Sequence, residues 1–229
     1  IQFLLVFYFG AAQNDYTQNR HKDSSKLSFP YVSPEKVGYT QEQLDKLDNE
    51  IKLWVETGEL VGAELLLLKD NKVFFHQAYG YADLESGDKV EQNSLWSIKS
   101  MAKPFTATAI HMLAEEGKLS LSDKIIQYLP NYKGHENTTI GNLISHTSGY
   151  KQNYGIGYAS LKDWILTTTK FKPEYDLGEY HYSDIGFGLG AYIIEEVSDK
   201  TIAQFTKDRI LTRFELKNTY PGPLPESLS

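Results

Sequence analysis

The chain contains no cysteine, and that absence removes disulfides, thiolate metal sites, cysteine nucleophiles and lipidation of an N-terminal cysteine. Positive charge is also in short supply: 23 lysines and arginines against 30 aspartates and glutamates leave a net charge of −7, with both signs interspersed. No basic face is available for nucleic acid or an anionic membrane surface, so nucleic-acid binding is excluded as a leading function. No apolar run is long enough to span a bilayer. The six histidines show neither His-x-His nor His-Glu-x-x-His spacing, so no metal or other cofactor is expected. A Gly-x-Ser-x-Gly elbow is lacking as well, which removes the usual alpha/beta-hydrolase arrangement.

The longest early apolar stretch is residues 1–9, followed by Gly10-Ala11-Ala12 and then polar Gln13-Asn14-Asp15. A short apolar core ending in small residues is the pattern of a secretory leader, here without its beginning and with a cleavage point after Ala12; a buried strand is the alternative. The expectation is a partial signal peptide over 1–12, a polar linker over 13–35 containing Pro30 and Pro34, and a folded domain over 36–229. The mature protein would be exported, periplasmic or secreted, with no stable membrane span.

Within the folded part, Thr40 is a good N-cap and Leu44, Leu47, Ile51, Trp54 and Val55 recur at helical spacing before Gly58. Residues 61–68 and 73–81 are apolar runs separated by Lys69-Asp70-Asn71-Lys72, which predicts a beta-hairpin. Residues 104–116 form an apolar helix stopped by Gly117. Further helices are predicted over 123–129, 139–145, 161–169, 185–197 and 202–214. This gives an alpha/beta (alpha+beta) class: a sheet part over about 40–117 and an all-helical part over about 118–229, with the candidate site at their junction.

Two segments match Ser-x-x-Lys: Ser33-Pro34-Glu35-Lys36 and Ser100-Met101-Ala102-Lys103. Ser33 lies in the polar linker and reads as a local cap or turn. Ser100 opens an apolar helix after the hairpin, and at i and i+3 its hydroxyl and the Lys103 amine share one helical face. A serine hydroxyl needs a base to become a nucleophile, and a lysine can serve if its surroundings lower its pKa. The positive end of the helix adds stabilisation for an alkoxide or oxyanion. Taken alone, this motif is equally that of an N-cap serine beside a solvated lysine.

The text around it narrows the choice. Residues 95–107, Gly117 to Asp123 with Tyr128-Leu129-Pro130, and Ile140 to Gly149 ending in His146-Thr147-Ser148-Gly149 resemble, in order and spacing, the beta-lactamase-related serine hydrolases. Tyr182-Ser183-Asp184 stands where that family carries Tyr-x-Asn, and Arg213 to Tyr220 resembles a later segment, so the resemblance covers about residues 36–222. Tyr81-Ala82-Asp83 matches the same bare pattern but falls at a strand end.

The resemblance implies a beta-lactamase/transpeptidase-like fold, an antiparallel sheet flanked by helices plus an all-helical subdomain. It also implies a serine hydrolase acting through an acyl-serine on an ester or amide, as carboxylesterase, D-amino-acid peptidase or beta-lactamase. Ser100 inherits the role of nucleophile, and Lys103 and Tyr182 share the proton traffic. Asp184 takes the place of the substrate-binding or lysine-orienting asparagine.

That last position departs from the family. An ionised aspartate cannot donate to a substrate carbonyl, and beside Lys103 it favours the ammonium form. The expected substrates therefore shift from beta-lactams toward esters or peptides. The third family motif, Lys-Thr-Gly or His-x-Gly, does not occur after Tyr182, which places the C-terminal strands outside this chain. A catalytically silent protein with a binding role in the cell envelope is the other reading. His146 reads as part of a structural turn, and Gly186, Gly188 and Gly190 read as close helix packing, because no strand precedes them as a dinucleotide fold requires.

Overall fold

The computed structural model describes residues 3–7, 29–151, 160–170 and 172–222. A cleavage point at Ala12, the linker up to residue 28 and the proline-rich end from residue 223 lie outside the described residues. The chain forms two compact units that divide between Ile98 and Lys99.

In the first unit, helix α1 (Gln41–Glu56) starts on a reciprocal capping box. The Gln43 N–H donates to Thr40 Oγ1 (3.2 Å) and the Thr40 N–H donates to Gln43 Oε1 (2.9 Å), satisfying two otherwise orphaned donors. Leu44 and Ile51 are buried, and Leu47, Trp54 and Val55 pack beside them against Ala63, Leu65, Leu67 and Tyr79. Those partners lie on strands β2 (Gly62–Lys69) and β3 (Lys72–Gly80), which pair antiparallel. The turn between them is only Asp70 and Asn71, both with positive φ (50° and 58°), the geometry whose twist suits a two-residue hairpin. Strand β1 (Phe3–Phe7) pairs antiparallel with the other edge of β2, giving the order β1-β2-β3. Five residues of the apolar run at 1–9 thus form a strand.

The second unit is helical. A 3₁₀ turn, Lys99–Ala102, leads into α2 (Lys103–Glu115), followed by α3 (Ile140–Ile144), α4 (Leu161–Thr168), α5 (Asp184–Ser198) and α6 (Ile202–Thr206). Side chains cap four of these helices: Thr139, Ser160, Ser183 and Thr201 each accept from a backbone N–H of the first turn. The core gathers Ile110, Leu113, Leu143, Ile165, Leu189, Ile193 and Phe205, all at most 1 % exposed, with α5 packed against α2, α3, α4 and α6. This packing explains the unit boundary. The sequence places the passage from sheet to helices near Gly117, but the apolar stripe of α2 is buried among the later helices, so α2 belongs with them.

Two predicted helices are shorter than expected. Over 123–129 only a 3₁₀ turn forms, Ile125–Gln127, because the neighbouring backbone is engaged elsewhere. The Ile125 N–H donates to the Thr138 carbonyl and the Ile140 N–H to the Asp123 carbonyl (both 3.0 Å), and Pro130 follows. Over 202–214, α6 widens after one turn into a π-helical turn, Lys207–Leu211, and the Thr212 N–H reaches back to the Lys207 carbonyl.

The glycines of α5 do pack closely. A Cβ on Gly186 would stand 2.7 Å from the Leu143 carbonyl oxygen, and one on Gly188 would overlap the Trp164 ring. Gly186→Ala should therefore force α5 away from α3 and cost about 2 kcal/mol. Urea unfolding of the two proteins measures this, and an unchanged midpoint would contradict the packing argument.

Candidate active site

Ser100 sits in the 3₁₀ turn and Lys103 is the first residue of α2. Pro104 follows within the first helical turn, where its missing N–H has no intrahelical partner to lose. The i, i+3 spacing then does what the sequence suggests: Lys103 Nζ donates to Ser100 Oγ at 2.9 Å. The competing Ser33 occupies the N-cap position of a 3₁₀ turn, Pro34–Val37, where its carbonyl accepts from the Lys36 N–H (3.1 Å). It serves a local turn.

Tyr182 and Asp184 arrive at the same place from the start of α5. Ser183 between them is 1 % exposed and acts as the anchor: its hydroxyl donates to the Lys151 carbonyl (3.1 Å) and accepts from the Ile185 N–H (3.2 Å). With Ser183 pinned, Tyr182 and Asp184 both lie beside Lys103. Asp184 is the first residue of α5, where the helix dipole favours a carboxylate. Its Oδ1 forms an ion pair with Lys103 Nζ, and the two side chains are only 14 % and 20 % exposed. Nζ also lies 4.8 Å from the Tyr182 ring centroid and 5.7 Å from that of Phe187. The rival Tyr81 directly follows β3, bridges to Lys89 and carries that lysine over its ring.

These neighbours set the lysine's charge. Burial alone pushes the Lys103 pKa down, but hydrogen bonds and charge from Asp184 and Tyr182 more than reverse it, and the net shift is upward. Lys103 is held as the ammonium, a donor to Ser100 rather than a ready base for it.

Sequence reasoning undervalued one residue. His146, read as part of a turn, places its ring 4.3 Å from that of Tyr182 and 5.0 Å from that of Phe187. Burial, then the nearby Lys103 charge, hold its pKa below the usual histidine range. The signal was present in His146-Thr147-Ser148-Gly149. What the turn holds could be learned only from the fold. Gly149 has φ 82°, and a Cβ there would run into the Tyr175 carbonyl, so this turn requires a glycine.

A serine and lysine at the start of one helix, faced by a tyrosine at the start of another in a helical unit, define the class of penicillin-binding-protein and beta-lactamase folds. The family model that matches, over residues 47–227, is that of Beta-lactamase, and this chain belongs to that family. Protein flp of Staphylococcus aureus (strain MW2) is 30 % identical over 192 residues, covering 79 % of this chain and 39 % of that protein. A putative D-alanyl-D-alanine carboxypeptidase of Escherichia coli (strain K12) is 29 % identical over 218 residues, covering 84 % of this chain and 50 % of that one. The structure of an octameric penicillin-binding protein homologue from Pyrococcus abyssi superposes with a TM-score of 0.67 at 25 % identity, covering 75 % of this chain and 43 % of that one. The chain spans at most half the length of these relatives.

The ion pair gives a signed expectation. Asp184→Asn removes the carboxylate that raises the Lys103 pKa, so the lysine should lose its proton at a lower pH than in the parent protein. NMR titration of the Lys103 side chain with ¹³C label at Cε measures it. An unmoved midpoint would contradict the assigned cause.

Proposed function

We propose that Ser100 is the nucleophile of a serine hydrolase that works through an acyl-serine intermediate, with Lys103 and Tyr182 as its partners and Asp184 as the residue that sets the charge of Lys103. One observation carries this reading: Lys103 Nζ is bonded to Ser100 Oγ and paired with Asp184 at the mouth of α2. Ser100 is exposed and Tyr182 is 40 % exposed, so a substrate can reach both.

Ser100 Oγ attacks the substrate carbonyl while the Tyr182 hydroxyl relays its proton, receiving it as the phenol gives up its own to the oxygen or nitrogen that will leave. The Lys103 ammonium is badly placed to accept that proton but well placed to stabilise the negative charge that develops. The tetrahedral adduct expels an alcohol or amine that carries the relayed proton, and Tyr182 ends with the single proton it began with. Water then repeats the sequence on the acyl-serine, releasing the acid and restoring Ser100.

Esters and D-amino-acid peptides suit this site better than beta-lactams, because ionised Asp184 cannot donate to the side-chain amide carbonyl of a beta-lactam. The carboxypeptidase relative supports the peptide option. Export to the periplasm or medium fits the apolar residues 1–12, and among the described residues no helix is long and apolar enough to cross a membrane. The lysine held by Asp184 also favours a second reading, a silent binding protein of the envelope.

A serine-reactive fluorophosphonate separates the two readings. The full-length protein should be labelled on Ser100, and Ser100→Ala should abolish labelling. Tyr182→Phe should lower kcat for ester hydrolysis by about 100-fold or more with little change in KM. A full-length protein left unlabelled would sink the enzyme reading and leave the binding one.

A further inference from the structure

One residue holds Tyr182 from both sides. His146 has φ 59°, a left-handed conformation, and from it the backbone carbonyl accepts from the N–H of His181 (2.9 Å). Its Nδ1 accepts from the N–H of Ser183 (3.1 Å). The residues before and after Tyr182 are therefore tied to the same imidazole-bearing residue, while the imidazole itself lies tilted against the Tyr182 ring. An accepting Nδ1 places the proton of the neutral ring on Nε2. The other end of the tether is equally fixed, since Ser183 is buried and bonded to the Lys151 carbonyl and to the first turn of α5.

We propose that His146 is a positioning residue for Tyr182: it fixes the phenol against Lys103 by accepting from Ser183 and bracing the tyrosine ring. This rests on the reading of Tyr182 as the group that carries the serine's proton. The consequence is specific. Proton transfer in the transition state is sensitive to displacements of an ångström, whereas substrate binding need not be. Loss of the clamp should appear in kcat and spare KM.

Three variants of the full-length protein separate this from a general structural role. Asparagine tolerates the left-handed conformation, and its Oδ1 occupies the place of Nδ1, so His146→Asn keeps the acceptor for Ser183. His146→Gln carries its oxygen farther out, and His146→Ala has none. With p-nitrophenyl acetate as probe, His146→Ala and His146→Gln should lose about 100-fold in kcat. KM should stay near the parent value, and His146→Asn should recover most of the loss. With 3-fluorotyrosine at position 182, the ¹⁹F resonance should be single and sharp in the parent and in His146→Asn, and broadened or split in the other two. If His146→Ala does not fold, the Asn and Gln pair decides: equal kcat and equal ¹⁹F spectra in both would overturn the proposal. If the parent protein hydrolyses neither an ester nor a D-amino-acid peptide, the hydrolase reading falls. The ¹⁹F comparison then decides the clamp, which stands if the Gln spectrum broadens and falls if it matches the Asn spectrum.

Discussion

The ion pair between Lys103 and Asp184 is the contact on which the rest of the site depends. It joins the first residue of α2 to the first residue of α5, and both groups lie mostly out of water, so neither can lose its partner cheaply. Two helix starts are thereby brought to one point. Ser100 comes with the first helix and Tyr182 with the second. The close packing of α5 on its neighbours through Gly186 and Gly188 supports that convergence, since bulkier residues would push the two starts apart.

The same pair decides how the chemistry can be divided. With asparagine at position 184 a lysine could alternate between base and acid. With aspartate there, Lys103 keeps its proton and becomes a fixed positive charge beside the serine. In the proposed mechanism, proton movement then falls to Tyr182, and the precision with which Tyr182 is held gains importance. His146, Ser183 and the cap of α5 form one connected set of hydrogen bonds that supplies this precision.

Much of the fold was legible in the sequence, because each signal was local. Thr40 announces the start of α1, Lys69-Asp70-Asn71-Lys72 announces the hairpin, and the helices expected from 139, 161 and 202 begin within a residue of those points, on caps that the structure assigns to Thr139, Ser160 and Thr201. The misses were non-local. Residues 123–129 have a helical composition but spend their backbone bonds on residues 138–140. The apolar stripe of α2 likewise finds its partners among the later helices rather than in the sheet part. Among the candidate site residues, Ser100 and Lys103 were nameable from motif and spacing, and Tyr182 and Asp184 only from the resemblance of their segment to the family's Tyr-x-Asn. The role of His146 was not, because its two contacts flanking Tyr182 span 35 and 37 residues and no spacing rule links them.

The proposed chemistry turns on covalent acylation of Ser100. Acid-quenching the full-length protein during turnover of an ester and weighing its peptides tests this most directly. An acyl mass is expected on the peptide containing Ser100, lost in Ser100→Ala and enriched when the second, hydrolytic step is slowed. Turnover with no acyl mass on that peptide, or with the mass on another residue, would contradict it.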